Sequence, residues 1–180
     1  MPIEAVVAWE QMCASRWSPG PVLDAEAVYR QLLDPIHWNS ELNELKPDAF
    51  SDITTIGLSV NRITHTSLPA LCEAAQKRVR DWNSQYPDKP QRRFYGFAMF
   101  HCSELRKEFR RDGDPGGELR LFGVYDTAKS DDISHGDILR LADANSDKKI
   151  KARAKAILWE LATHHKGKYL IISPKIFDEA

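Results

Sequence analysis

Apolar residues along the chain follow two rhythms, a helical period and a strict alternation, and the switches between them mark out elements. Val6, Trp9 and Cys13 share one helical face, so a first helix is predicted from Pro2 to about Arg16, broken by SPGP at 18–21. Asp24 then stands as the cap of a short helix, AEAVYRQLL, stopped by Pro35. The stretch 35–52 is polar with scattered Trp and Phe and reads as irregular. TIGLSV at 55–60 is the first strand candidate. Leu71, Ala75, Val79 and Trp82 repeat at helical spacing, which predicts a helix from Leu68 to Gln85 with Ser67 as its N-cap.

After the loop YPDKPQ, RFYGFAMFHC at 93–102 is apolar on both alternating faces and predicts a central strand covered on both sides. Ser103 caps a short helix, ELRKEFRR, with Leu105 and Phe109 paired one turn apart, and DGDPGG closes it. ELRLFGVYD is the next strand, followed by a short helix near 135–143 and a long one from about 147 to 166. Ile150, Ala154, Ile157, Leu158 and Leu161 form the apolar stripe of the long helix. Gly167 suits its C-cap, and His164, His165 and Lys166 suit its negative end. KYLIIS is a last strand. The expected fold is α+β: a small sheet of about four strands with helices around it, one domain over residues 1–180.

Composition narrows the class. No apolar run approaches the ~20 residues of a membrane span, and MPIEAVVAWEQMC lacks the basic start of a secretory signal. Cys13, Cys72 and Cys102 are odd in number, far apart and without zinc-site spacing, so they read as reduced thiols of a cytoplasmic protein. Residues 1–90 hold 8 Lys+Arg and 12 Asp+Glu, and residues 91–180 hold 17 and 14. The basic surplus of the second half is interleaved with acids, which supports a nucleic-acid partner only weakly. No cofactor is indicated.

Three stretches could carry chemistry. DTAKSDDISHGDI, Asp126 to Ile138, gathers four aspartates and His135. Ser134 and Asp137 have the spacing of a capping box before an apolar run, which accounts for both without any function. Asp126 ends a strand and, with His135, is a candidate for acid–base work. The acids match no calcium-loop spacing, and no metal set is assigned. GLSVNRITHTS, 57–67, joins a strand to a helix start. There Arg62 and Ser67 could hold an anion and His65 could move a proton. His65 and Thr66 resemble the histidine-x-threonine loop of ADP-ribosyl-transfer folds, with no glutamate in register downstream. Lys148, Lys149, Lys151, Arg153 and Lys155 put positive charge where the helix dipole is already positive. That suits a protein partner with an acidic surface, and equally a solvated face.

AFSDITTIGLSVNR at 49–62 and YDTAKSDDISHGDIL at 125–139 together resemble a group of small uncharacterised bacterial proteins. Those carry Phe, then Leu-Ser-Val with a nearby basic residue, and later Asp, a short gap and Asn-Pro-Ala-His before an apolar element. Phe50, Leu58, Ser59, Val60, Arg62, Asp126 and His135 are the matching positions, with DISH replacing Asn-Pro-Ala-His. The resemblance implies an accessory component of a defence or toxin-related operon, and it suggests that Arg62 and His135 share one cleft. Two functions follow as expectations: an interaction component of a multi-protein system, or a small enzyme acting on a nucleotide, dinucleotide or RNA.

Overall fold

The Ser67 hydroxyl accepts the Ala70 N–H at 3.3 Å and opens α2, Leu68–Gln85, with Pro69 in the first turn where no N–H is needed. Leu71, Ala75 and Val79 of the expected stripe are buried, joined by Cys72, whereas Trp82 is only half-buried. The computed structural model describes residues 3–108, 120–141 and 148–163. The other elements are α1 (Ile3–Met12), β1 (Ala27–Asp34), β2 (Trp38–Asn39), β3 (Glu44–Leu45), β4 (Leu58–Arg62), β5 (Arg93–His101), α3 (Cys102–Lys107), β6 (Phe122–Asp126), β7 (His135–Arg140) and α4 (Lys148–Thr163). Short 3-10 turns cover Ser51–Thr54 and Ile63–His65.

The main sheet has five strands in the order β5-β1-β4-β7-β6, all neighbours antiparallel; β2 and β3 form a separate two-stranded ribbon. Helices packed on an antiparallel sheet make the fold α+β. KYLIIS, Gly167, the residues 164–166, Phe109 and DGDPGG lie outside the described residues.

Three elements differ from expectation. AEAVYRQLL is not a helix: Ala27–Asp34 is β1, paired along its whole length with β5. The short helix expected near 135–143 does not start at His135 either, because His135–Arg140 is β7 and Ser134 caps nothing. RFYGFAMFH is a strand covered on both faces, but it stands at the sheet edge.

Directly paired residues of neighbouring strands point to the same face. Val28, Phe100, Leu58, Val60, Ile138 and Val124 line one face, and Ala154, Ile157 and Leu158 of α4 close over it with Phe50 and Ile53. On the other face Tyr29 and Phe97 pack against Leu71, Cys72 and Ala75 of α2. That second layer covers β1 and β5. Across β4, β7 and β6 the same face carries Ser59, Asn61, His135, Asp137 and Tyr125 instead.

Candidate functional site

Arg62 ends β4 on the α4 side of the sheet and is 1% exposed. Its Nε donates to Glu26 Oε2 at 2.9 Å, and Nη2 donates to Glu26 Oε1 at 2.8 Å and the Pro21 carbonyl at 2.9 Å. Nη1 donates to Asp126 Oδ2 at 2.7 Å and the Gly20 carbonyl at 2.9 Å. All five N–H groups of a guanidinium are thereby used inside the protein. Burial pushes the Glu26 carboxyl up, but hydrogen bonds from Arg62, the Leu23 N–H and Thr64 outweigh it and hold the group below its ordinary range. Asp126 is equally committed: Oδ2 also accepts from Ser18 Oγ at 2.7 Å, and Oδ1 accepts the Ala128 N–H at 2.9 Å.

A second buried arginine repeats the design. Arg106 of α3 donates to both oxygens of Glu10, to Asp24 Oδ1 at 2.6 Å and to the Val22 carbonyl at 2.7 Å. Glu10 Oε1 also accepts the Val124 N–H at 2.9 Å, so α1 is tied to the edge strand β6. Burial raises the Glu10 pKa in spite of Arg106. Together the two arginines grip the segment between α1 and β1. Sequence reasoning missed Arg106, Glu10 and Glu26. Their partners stand 36 to 96 residues away, so no local spacing could reveal them.

His135 occupies the other face. Its register partner on β4 is Asn61, and Arg62 is the next residue along. Arg62 and His135 therefore project from opposite sides of the sheet. They share no cleft, which corrects the expectation drawn from the resemblance. His135 Nδ1 lies 3.1 Å from the Thr127 carbonyl and 2.9 Å from Thr127 Oγ1, while Thr127 Oγ1 donates to Asp137 Oδ2 at 2.7 Å. A carbonyl only accepts, so Nδ1 carries the proton, and in the neutral ring Nε2 is the lone-pair nitrogen. Ser59 Oγ donates to Asp137 Oδ1 at 3.0 Å, and Asn61 Nδ2 donates to Ser134 Oγ and Asp132 Oδ2 at 2.9 and 3.1 Å. The aspartate-rich stretch is thus a polar sheet face whose acids are largely satisfied by neighbours. Among the described residues no three His, Cys, Asp or Glu stand together to hold a metal ion.

His65 sits in the 3-10 turn Ile63–His65, half buried, and the Ser67 hydroxyl is occupied as a cap. The basic residues lie on α4. Lys148 and Lys149 are exposed, whereas Lys151, Arg153 and Lys155 are half buried. Lys155 Nζ pairs with Asp48 at 2.6 Å, and that contact holds the exposed Asp48 carboxyl below its usual range. Arg153 reaches Glu108 at 4.0 Å.

At helical spacing Lys148, Ala152, Lys155, Ala156 and Trp159 share the outward face of α4. Along that face runs an open, mainly apolar groove of about 470 Å³, lined by Pro47, Ala152, Lys155, Ala156, Trp159 and Glu160. Lys155 and Glu160 are the charged residues of its lining, and Lys148 lies one turn before Ala152.

No family model matches the chain, and no curated protein or solved structure gives a match. Among the described residues no helix is long and apolar enough to cross a membrane.

Proposed function

We propose that the protein is an interaction component that docks an acidic, apolar-anchored segment of a partner along α4. The observation that carries this reading is the groove of about 470 Å³ beside the basic start of the helix. A helix N-terminus presents a partial positive charge, and Lys148, Lys149 and Lys151 add to it without an acid in the first turn of α4. That concentration of positive charge suits a partner segment that carries acids. Ala152 and Ala156 let a second backbone come close, and Trp159 gives it an apolar floor. The polarity of the groove orients the guest, with its acids toward Lys148 and its apolar anchors toward Trp159. The resemblance to small bacterial proteins of defence or toxin-related operons agrees with an accessory role in a multi-protein assembly.

A peptide library displayed on phage and selected on the full chain tests the reading. Enriched peptides should combine acidic residues with apolar anchors at helical spacing. They should be lost when Lys148→Glu and Lys151→Glu are combined, and also on Ala156→Arg, which fills the groove. Peptides without acidic bias, or binding that survives both variants, would overturn it.

One observation favours a second reading, a small enzyme acting on a nucleotide, dinucleotide or RNA: the proton on His135 Nδ1 leaves Nε2 as a base. Arg62 supplies no anion clamp in this version, since its donors are consumed. Incubation with ATP, a dinucleotide and single-stranded RNA decides the matter. Turnover abolished by His135→Ala supports an enzyme, and no turnover of any of the three removes it.

A further inference from the structure

At the far end of β1 from Arg62, Asp34 lines a second cleft, of about 430 Å³, with Trp38, Ser40, Glu41, Lys46 and Arg93 among its walls. The volume is that of a small-molecule site, within the usual range of about 300–1,000 Å³. The Asp34 side chain is 7% exposed, yet only one of its oxygens is used within the protein. Oδ2 accepts from Ser40 Oγ at 2.7 Å and from Arg93 Nη2 at 2.5 Å, while Oδ1 accepts no hydrogen bond from the described residues. Oδ1 is also not among the sealed atoms without a partner, so it keeps some contact with solvent, and Asp34 lines the cleft. A deeply set carboxylate that leaves one oxygen to solvent can accept a further donor there.

The surroundings choose the ligand. Arg93 is 74% exposed on its side chain and spends one nitrogen on Asp34. Lys46 reaches the Pro35 carbonyl and retains further donors. Asp34 and Glu41 are balanced by Lys46 and Arg93, so the ionisable lining has no net charge. A doubly charged phosphate would have to face Asp34, and a simple cation would have to face Arg93 and Lys46. A molecule with separated positive and negative groups meets both. Trp38, in the cleft wall, stacks on Tyr95 with ring centroids 3.9 Å apart.

We propose that this cleft binds a zwitterion of the amino-acid class. The ligand's ammonium group donates to Asp34 Oδ1, and its carboxylate accepts from Arg93 and Lys46. The cleft shares no lining residue with the α4 groove, although Lys46 of the one adjoins Pro47 of the other, and the proposal does not rest on the docking reading.

Titration of the full chain with the free L-amino acids, followed by tryptophan fluorescence and ligand-observed NMR, tests the proposal. At least one amino acid should bind saturably. Its N-acetyl and carboxamide derivatives should each bind at least about tenfold more weakly, a loss near 1.4 kcal/mol. Asp34→Asn should abolish binding with the circular dichroism spectrum unchanged. If that variant does not fold, Lys46→Gln serves instead, and it should weaken the free amino acid while leaving the carboxamide derivative unaffected. Absence of saturable binding up to ~10 mM overturns the proposal on the affinity scale of small ligands. So does equal binding of the blocked derivatives, or displacement by inorganic phosphate or methylamine as readily as by the amino acid.

Discussion

Arg62 and His135 stand on adjacent strands, one residue out of register, and face opposite sides of the sheet. The backbone joins them: the Arg62 N–H donates to the Ser134 carbonyl at 2.7 Å. Their side chains belong to different environments, a sealed ionic lock on one side and a partly solvated polar face on the other.

The lock should tolerate no substitute. Arg62→Met leaves Glu26 and Asp126 buried without their cation, and breaking a buried pair in this way costs about 3–5 kcal/mol. Arg62→Lys keeps the charge but cannot span five acceptors, so it too should unfold at clearly lower denaturant. Urea denaturation of both variants is the measurement. Stability within about 0.5 kcal/mol of the parent would show that the network contributes little.

Gly136 faces Val60 across the β4–β7 pair. A Cβ there would lie 2.9 Å from the Tyr125 carbonyl and 3.9 Å from Arg62 Cγ. Gly136→Ala should therefore destabilise by about 1–3 kcal/mol, the usual result of overfilling a close-set site. A thermal melt reads it, and an unchanged midpoint would mean that β7 shifts freely.

His37 Nδ1 accepts the Leu33 N–H at 3.1 Å, so the ring is held neutral. Burial, with Arg30 nearby, lowers its pKa to about 4. The unfolded chain protonates near the ordinary value of 6.5 and the folded chain only near 4, so the unfolded state binds more protons between these values. This contribution to stability is complete above that window and is lost as pH falls through it, by on the order of 3 kcal/mol. Unfolding free energy measured from pH 7 to 4 should fall more steeply in the parent than in His37→Gln. Parallel curves would contradict the assignment.

The cysteines should separate by reactivity. Cys13 is exposed, while Cys72 and Cys102 are buried. Burial raises both buried thiols, Cys102 to about 12. Native protein should give one fast thiol with a disulfide reagent and three in denaturant. Fast modification of a second native thiol would mean that the cover over Cys72 opens readily.

Nitrogen NMR of His135 should report the Nδ1–H tautomer at neutral pH, and Thr127→Val should remove that bias. An Nε2–H tautomer in the parent would invalidate the second functional reading.

Long, strongly periodic elements were legible in the sequence. In α2 the apolar stripe, the Ser67 cap and the early proline all point to one answer, and the boundaries follow. β1 was not legible because AVYRQLLD satisfies both periods. Val28 and Leu32 are four apart, as in a helix, and also fall on one face of a strand. Its residues include good helix formers, and pairing with β5 and β4 overrides that preference. β7 was hidden by a true capping spacing, Ser134 to Asp137, whose two side chains instead bond Asp132, Ser59 and Thr127. Of the candidate site, the importance of Arg62 and Asp126 was visible, but their role was not. A buried arginine and a ligand-binding one look alike until the acceptors are known.

The grip of Arg62 and Arg106 on residues 20–24 also sets an order of events during synthesis. Glu10, Asp24 and Glu26 leave the ribosome early, but Asp126 follows a hundred residues after Glu26. Glu26 waits for Arg62, Glu10 and Asp24 wait for Arg106, and α1 has no β6 to lie on until residues 122–126 are made. The amino-terminal region is therefore a late-closing latch, and a nascent chain halted before residue 126 should remain open to proteolysis at 13–26.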